Sequence, residues 1–409
     1  MNPLNLPSRT AGQHGPLPDF LPTGDGVADI TPVVAPTGDR IWLVTAFDLG
    51  RAVLTDERFS RAAAVAPEAP AIHPMRPDPA ALTSLDPPQH TRLRRLVNRP
   101  FTPRAVAALE EGIRRQARRL LAGRDRIDLV AQYAMPLSAA TICRVLGVPE
   151  AEHARFAGLA DRALGVTTGT FEEQGPARDA LRAYISELID RARRDPGEHV
   201  LGTLATAYDE SGALSHDELT ALVELLLNAG YETSIGQLGL AVVSLLEHPE
   251  QWHRLATAPH REAAAAAAVE ELLRHAPVVP MSFTRVARQD VRLGTVVVRA
   301  GEALVVSLLH ANFDARAHRD PDRLDLTRCP ARHLTFGHGA HTCLGAQLAR
   351  TQLRVALEEL AAAAPDLTPR TPLPSLHWRQ PEAVVRGPLT LPVNLALPRP
   401  EAATGRRHP

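Results

Sequence analysis

"FGHGAHTCLGAQLAR", residues 336–350, sets one cysteine between two histidines in a glycine-rich approach to a helical pattern. Cys343 is a metal ligand, a redox thiol or a buried core sulfur, and the choice decides the fold. Gly337, Gly339 and Gly345 allow a tight backbone turn and close approach to a flat or bulky partner. Cys343 stands just ahead of the helix "LGAQLARTQLRVALEEL" (344–360), whose free N–H groups and positive dipole end favour a thiolate.

The rest of the chain narrows the choice. At 409 residues it has room for a large core, and 44% hydrophobic with 22% charged residues is ordinary for a globular protein. A net charge of -1 argues against general binding to nucleic acid or a membrane surface. No run approaches the ~18–20 apolar residues of a membrane span. "MNPLNLPSRTAGQHGPLPDF" (1–20) lacks a basic region followed by an apolar one, so no export signal is expected. Three cysteines, Cys143, Cys329 and Cys343, do not make a disulfide framework and suit a reducing cytoplasm. All 45 basic residues are arginine, which excludes Schiff-base lysine enzymes and P-loop enzymes.

Residues 1–25 read as an irregular Pro- and Gly-rich arm, 26–396 as one domain without repeats or a dividing linker, and 397–409 as a flexible tail. "IWLVTAF" (41–47) reads as a strand, with a short helix after it. From Pro87 to about residue 275 helical patterns dominate. The longest, 215–248, opens with Ser215 and Glu218 in capping-box spacing. "TVVVRAGEALVVSL" (295–308) reads as a hairpin turning at Gly301. The fold class is therefore mainly α with small β-sheets.

Zinc wants four ligands, commonly from CxxC or HxxxH pairs, and here one thiol is flanked by single histidines. A haem iron wants one axial thiolate. Composition alone leaves the structural, redox and haem readings of Cys343 open.

The pattern FGxGxHxCLGxxLAR, matched from Phe336 to Arg350, resembles the haem-binding signature of the cytochrome P-450 family, of the soluble bacterial type. Further segments support the resemblance across roughly 40–395. It implies the cytochrome P-450 fold and haem b, with Cys343 as the sole protein metal ligand. His341 matches a position near a haem propionate, and His338 one that varies. Phe336, Gly345 and Ala229 match positions against the haem.

Glu271 and Arg274, in "EELLR", lie i, i+3 and can form a solvated helical ion pair. The resemblance implies instead a buried lock completed by "PDRLDLTR" (321–328). In "DPPQHTRLRRL" (86–96), Asp86 reads as an N-cap and Pro87 as the first helical residue, placing His90 and Arg94 on one face. The family places His90 and Arg94 on a propionate, and Arg285 and His333 likewise. Arginines 92, 95, 99, 114, 115, 118 and 119 form a basic face, either solvated surface or a dock for an acidic redox protein.

"NAGYETS" (228–234) interrupts an apolar run of the longest helix. Locally, Gly230 packs a neighbour and Thr233 returns its hydroxyl to the Ala229 carbonyl. The resemblance is to the acid–alcohol pair of the oxygen-binding helix, where the hydrogen-bond ladder opens; Thr233 and Glu232 would then handle protons. Asn228, Val278, Val279 and Met281 are expected at the substrate.

These readings imply a monooxygenase that inserts one atom of dioxygen into a small organic substrate, a natural-product intermediate. Electrons would come from NAD(P)H through a separate ferredoxin and ferredoxin reductase, since no GxGxxG unit is present. No nucleic acid or membrane partner is expected. A peroxide-driven enzyme, an oxidative coupling enzyme and a non-catalytic relative are the alternatives.

Overall fold

Periodicity predicts where the apolar stripes fall, and packing decides what covers them. The structure, a computed structural model, describes residues 28–73, 76–166, 174–197, 199–209, 213–328, 332–379 and 384–396, together with a strand at Leu4–Asn5. Twelve helices appear among these: α1 (Phe47–Thr55), α2 (Gln89–Val97), α3 (Pro103–Leu121), α4 (Met135–Leu146), α5 (His153–Leu164), α6 (Gln174–Arg194), α7 (Val200–Asp209), α8 (His216–Glu247), α9 (Pro249–Ala256), α10 (Arg261–His275), α11 (Leu308–Asn312) and α12 (Ala346–Ala363). The fold is mainly α, as expected, and α12 packs on α3 and α10 while α4 packs on α8.

The long helix α8 starts as its sequence specifies. The Ser215 hydroxyl accepts from the Glu218 N–H at 3.1 Å, and the Glu218 carboxylate accepts from the Ser215 N–H at 2.9 Å. Every residue from Ile235 to Leu245 is buried, so this half of α8 is apolar almost all round and runs through the core. Helix α10 stops at His275 because Pro277 cannot continue it.

Among the described residues eleven short strands make three sheets: β1 (Leu4–Asn5), β2 (Ile30–Val34), β3 (Arg40–Val44), β4 (Phe59–Ser60), β5 (Arg126–Asp128), β6 (Arg285–Ala287), β7 (Val291–Leu293), β8 (Val296–Val298), β9 (Ala303–Val306), β10 (Thr368–Pro369) and β11 (Pro392–Asn394). The largest has the order β1-β2-β3-β9-β6-β4. The expected irregular arm thus contributes an edge strand, with Leu4 opposite Val33; the rest of 1–25 and the tail 397–409 lie outside the described residues.

The hairpin expected over 295–308 does not form. Strand β8 turns back on β7 across Gly294, whose φ is +60°, whereas β9 lies between β3 and β6. All four β9 side chains are buried, and such a strand needs a ladder on both edges rather than one hairpin partner. Asp86 is not the N-cap of α2 either: its carboxylate accepts from Ser60 and from the Arg61 N–H at 2.8 Å, and α2 begins at Gln89.

Candidate functional site

The cysteine loop folds by local constraint. Gly337 and Gly339 have φ of +70° and +73°, a region that side chains rarely enter. A Cβ on Gly339 would stand 2.6 Å from the Leu54 carbonyl oxygen, so only glycine fits. The Cys343 N–H donates to the Phe336 carbonyl at 2.8 Å and closes the turn. Gly345 has an ordinary φ of -85°, so the turn does not require it; its missing side chain leaves open space at the cavity wall.

Cys343, Gly345, Phe336, His338 and His341 line a cavity of ≈ 330 Å³ together with residues of α2, α4, α8, α12 and the segment 278–285. Cys343 lines this cavity and is exposed to it. Burial pushes the thiol pKa up, against weaker pulls from the Gly345 N–H and the charges of Arg94 and Arg350. Helix α12 starts three residues later than Cys343, so its end does not create a free thiolate as the sequence suggested. A bound metal would have to supply the charge that deprotonates it.

His338 and His341 do not join the sulfur as ligands. No group of three or more His, Cys, Asp or Glu able to hold a metal occurs among the described residues. His341 instead packs on His90 of α2, ring centroids 4.2 Å apart. Burial pushes the His341 pKa down to about 3, with help from the nearby cations, and lowers that of His90. His90 Nε2 is buried without a partner among the described residues.

Three guanidiniums also line the cavity, those of Arg61, Arg94 and Arg285, and no Asp or Glu is among its described lining residues. Arg94 donates to the Thr342 carbonyl at 2.7 Å, and Arg285 to the carbonyls of Phe59 and Leu54 at 3.1 and 3.4 Å. Buried cations and an orphaned imidazole nitrogen call for anions, and the surrounding wall is mostly apolar. A planar, apolar macrocycle with carboxylates at one edge and a metal wanting one sulfur fits this donor set. Haem b is such a group.

His333 is not brought to this wall. It sits 3.2 Å from Glu270, which Arg350 also holds at 2.7 Å, and this charged clasp behind Phe336 keeps the imidazole away from the cavity. Burial raises the Glu270 carboxyl, but His333 and Arg350 overcome it and bring the pKa down to about 2.

On α8, Ala229, Gly230 and Thr233 line the cavity. The Thr233 hydroxyl donates to the Ala229 carbonyl at 2.6 Å, and a Cβ on Gly230 would meet Ile142 of α4 at 2.6 Å. The helix is assigned without interruption from His216 to Glu247, so the expected opening of its ladder does not register as a break. Val278, Val279 and Met281 line the cavity as expected; Asn228 does not, and its Oδ1 is buried without a partner among the described residues. Glu232 lies off the wall, held by Arg379 at 2.6 Å. Burial raises its pKa despite that cation. Nothing local to Arg379 marked it in the sequence.

Glu271 and Arg274 are fully buried and bonded at 2.8 Å. Arg274 also donates to the carbonyls of Asn312 and Pro321, while Glu271 accepts from the Asp325 N–H and from Arg328. The lock and its expected partner segment 321–328 are therefore assembled beside the cysteine loop.

The family model for cytochrome P450 matches residues 264–361, the span holding both the lock and the loop. Over 364 residues, 88% of this chain and 90% of the relative, the sequence is 42% identical to the nocardicin C N-oxygenase of Nocardia uniformis subsp. tsuyamanensis. The chain belongs to the cytochrome P450 family. A second P450 relative is the mycinamicin IV hydroxylase/epoxidase of Micromonospora griseorubida, 39% identical over 94% of this chain and 95% of its own. The solved LnmA cytochrome P450 hydroxylase of the leinamycin pathway of Streptomyces atroolivaceus aligns with a TM-score of 0.80 at 40% identity, covering 90% of this chain and 93% of that one. This P450 is a monooxygenase of a family that implies haem. No helix among the described residues is long and apolar enough to cross a membrane.

Proposed function

We propose that this P450 hydroxylates or epoxidises a natural-product intermediate, with haem b on Cys343 and its propionates on His90, Arg94, Arg285 and His341. One observation carries the reading: a single cavity is lined by Cys343, by three guanidiniums and the orphaned His90 nitrogen, and by Ala229, Gly230 and Thr233. When bound there, haem supplies dioxygen activation and oxygen transfer, and a thiolate ligand favours cleavage of the O–O bond.

The protein's own part is position and proton traffic. The Thr233 hydroxyl, anchored on Ala229, presents a donor and acceptor at the wall. Glu232 is held one residue away with a raised pKa, able to take a proton and pass it on. Val278, Val279 and Met281 shape the apolar space around the substrate.

Electrons come from NAD(P)H through a ferredoxin and its reductase in the cytoplasm. The basic face is largely self-paired: Arg92 binds Glu218, while Arg114 and Arg118 bind Glu359. Arg95 and Arg99 remain exposed without an acidic partner among the described residues and offer the contact for an acidic protein. The decisive experiment is the absorption spectrum of the reduced, CO-bound protein beside Cys343→Ala. Haem with a thiolate-type Soret band is expected in the first and not in the second; the same band in both removes Cys343 as the ligand.

A further inference from the structure

Arg61 is a cation that the proposed haem site does not use up. Resting on that reading, haem b brings two carboxylates to a wall carrying three guanidiniums, Arg61, Arg94 and Arg285, with no Asp or Glu among its described residues. The imidazoles of His90 and His341 stand at the same wall, ring centroids 4.2 Å apart, and offer hydrogen-bonding groups there. Three guanidiniums thus face two carboxylates at this wall, and the nearest protein carboxylate, Asp86, bonds the Arg61 N–H off the wall.

Hydrogen-bond partners separate Arg61 from the other two. Arg94 reaches the cysteine loop through the Thr342 carbonyl, and Arg285 is tied to Leu54 and Phe59. Arg61 donates from Nε to the Thr83 carbonyl at 2.8 Å and from Nη1 to the Thr284 carbonyl, and its guanidinium carbon lies 5.0 Å from the Phe283 ring centre. Thr83 and Phe283 both line the cavity. Phe283 is 47% exposed, one of two large apolar side chains so exposed among the described residues.

Arg61 itself is 2% exposed. Burial and the neighbouring Arg285 lower its pKa to about 10, so it stays charged at neutral pH. The adjacent carboxylate, Asp86, is already bonded to Ser60 and to Arg288 at 2.6 Å. Asp86 offsets part of the Arg61 charge, but no carboxylate bonds the guanidinium itself, which is held by carbonyls alone. A neutral substrate would leave the Arg61 guanidinium without a carboxylate partner, and a cationic one would face a like charge.

We propose that the substrate carries a carboxylate bound by Arg61, with Phe283 covering the adjoining apolar or aromatic part. The guanidinium is a planar fork suited to a carboxylate, and Phe283 offers a ring face beside it. Arg61 is then a specificity-determining residue and takes no part in the chemical step.

The test uses haem-loaded enzyme titrated with phenylalkanoates of increasing chain length, each against its primary amide. Binding is read from the Soret shift and by calorimetry in wild type, Arg61→Gln and Arg61→Lys. The carboxylate is expected to bind tighter than its amide by about tenfold or more. Arg61→Gln should erase that preference and leave amide binding unchanged, while Arg61→Lys, which keeps the charge, should retain part of it. Equal affinities in wild type, or a preference that survives in Arg61→Gln, overturn the proposal. So does loss of haem from Arg61→Gln with the preference intact, which would place Arg61 on a propionate. The reduced CO spectrum of the same samples separates the two levels. A thiolate-type band without carboxylate preference defeats this inference alone, and absence of the band defeats the haem-thiolate reading beneath it.

Discussion

Two glutamate–arginine pairs, the fully buried Glu271–Arg274 and the partly buried Glu232–Arg379, are built to opposite degrees of completion. In Glu271–Arg274 the guanidinium is fully engaged: Nε and Nη2 bond Glu271 at 2.8 and 2.9 Å, and Nη1 takes the carbonyls of Asn312 and Pro321. In Glu232–Arg379 only Nη1 is paired, and the buried Nε and Nη2 have no partner among the described residues. A fully satisfied network rigidifies the core around it, whereas a partly satisfied one has cheap alternatives. The first anchors the segment beside the cysteine loop. The second leaves a carboxyl near the cavity free to change partners.

The comparison breaks first at its stronger member. Arg274→Ala leaves Glu271 charged and buried, and should cost about 3–5 kcal/mol and most of the haem content. Chemical denaturation and haem absorbance read both; a variant with wild-type midpoint and haem would show that the lock is dispensable.

Acid probes the same region more gently. Burial and the charge of Arg274 push the His275 pKa down to about 4. An unfolded histidine titrates near ~6.5, so between these values the unfolded chain binds more protons. Stability is therefore complete above pH ~6.5 and falls toward pH ~4, on the order of 2–3 kcal/mol from this residue. His275→Gln should flatten that limb of the denaturation-versus-pH curve; an unchanged limb would mean that other groups account for it.

Arg379→Gln should cost less, about 1–2 kcal/mol, because only one of its nitrogens is bonded to the carboxylate. Its larger effect is on protons: with the cation gone, the Glu232 pKa rises further. The pH profile of coupled product formation should move to higher pH. A profile that stays put would exclude Glu232 as the proton-handling group.

Thr233→Ala is the mildest for stability, within about 1 kcal/mol, since one helical hydrogen bond is lost. Haem binding should persist while reductant use is diverted to hydrogen peroxide. Unchanged coupling would count against Thr233 and remove the reason for placing Glu232 beside it.

Much of the site was legible because its features are local. Gly339 is demanded by a positive φ and the nearby Leu54 carbonyl, Ser215 and Glu218 close a capping box three residues apart, and Glu271 reaches Arg274 within one turn. The misreadings share another cause. Asp86 reads as a helix cap and is the acceptor for Ser60 and Arg61; His333 matches a haem position and is held by Glu270; Asn228 is expected at the substrate and lies off the wall. The first two were decided by neighbours remote in sequence.

The family, the mainly helical class, the cysteine loop and the Glu271–Arg274 pairing follow from the sequence, because motif spacing and helical periodicity are properties of adjacent residues. Only the tertiary structure decided that β9 lies between β3 and β6, that Arg379 reaches Glu232 across 147 positions, and that Arg61 joins Arg94 and Arg285 at one cavity. Charges far apart in the chain interact only after packing removes the water between them, so their pairing is a property of the fold.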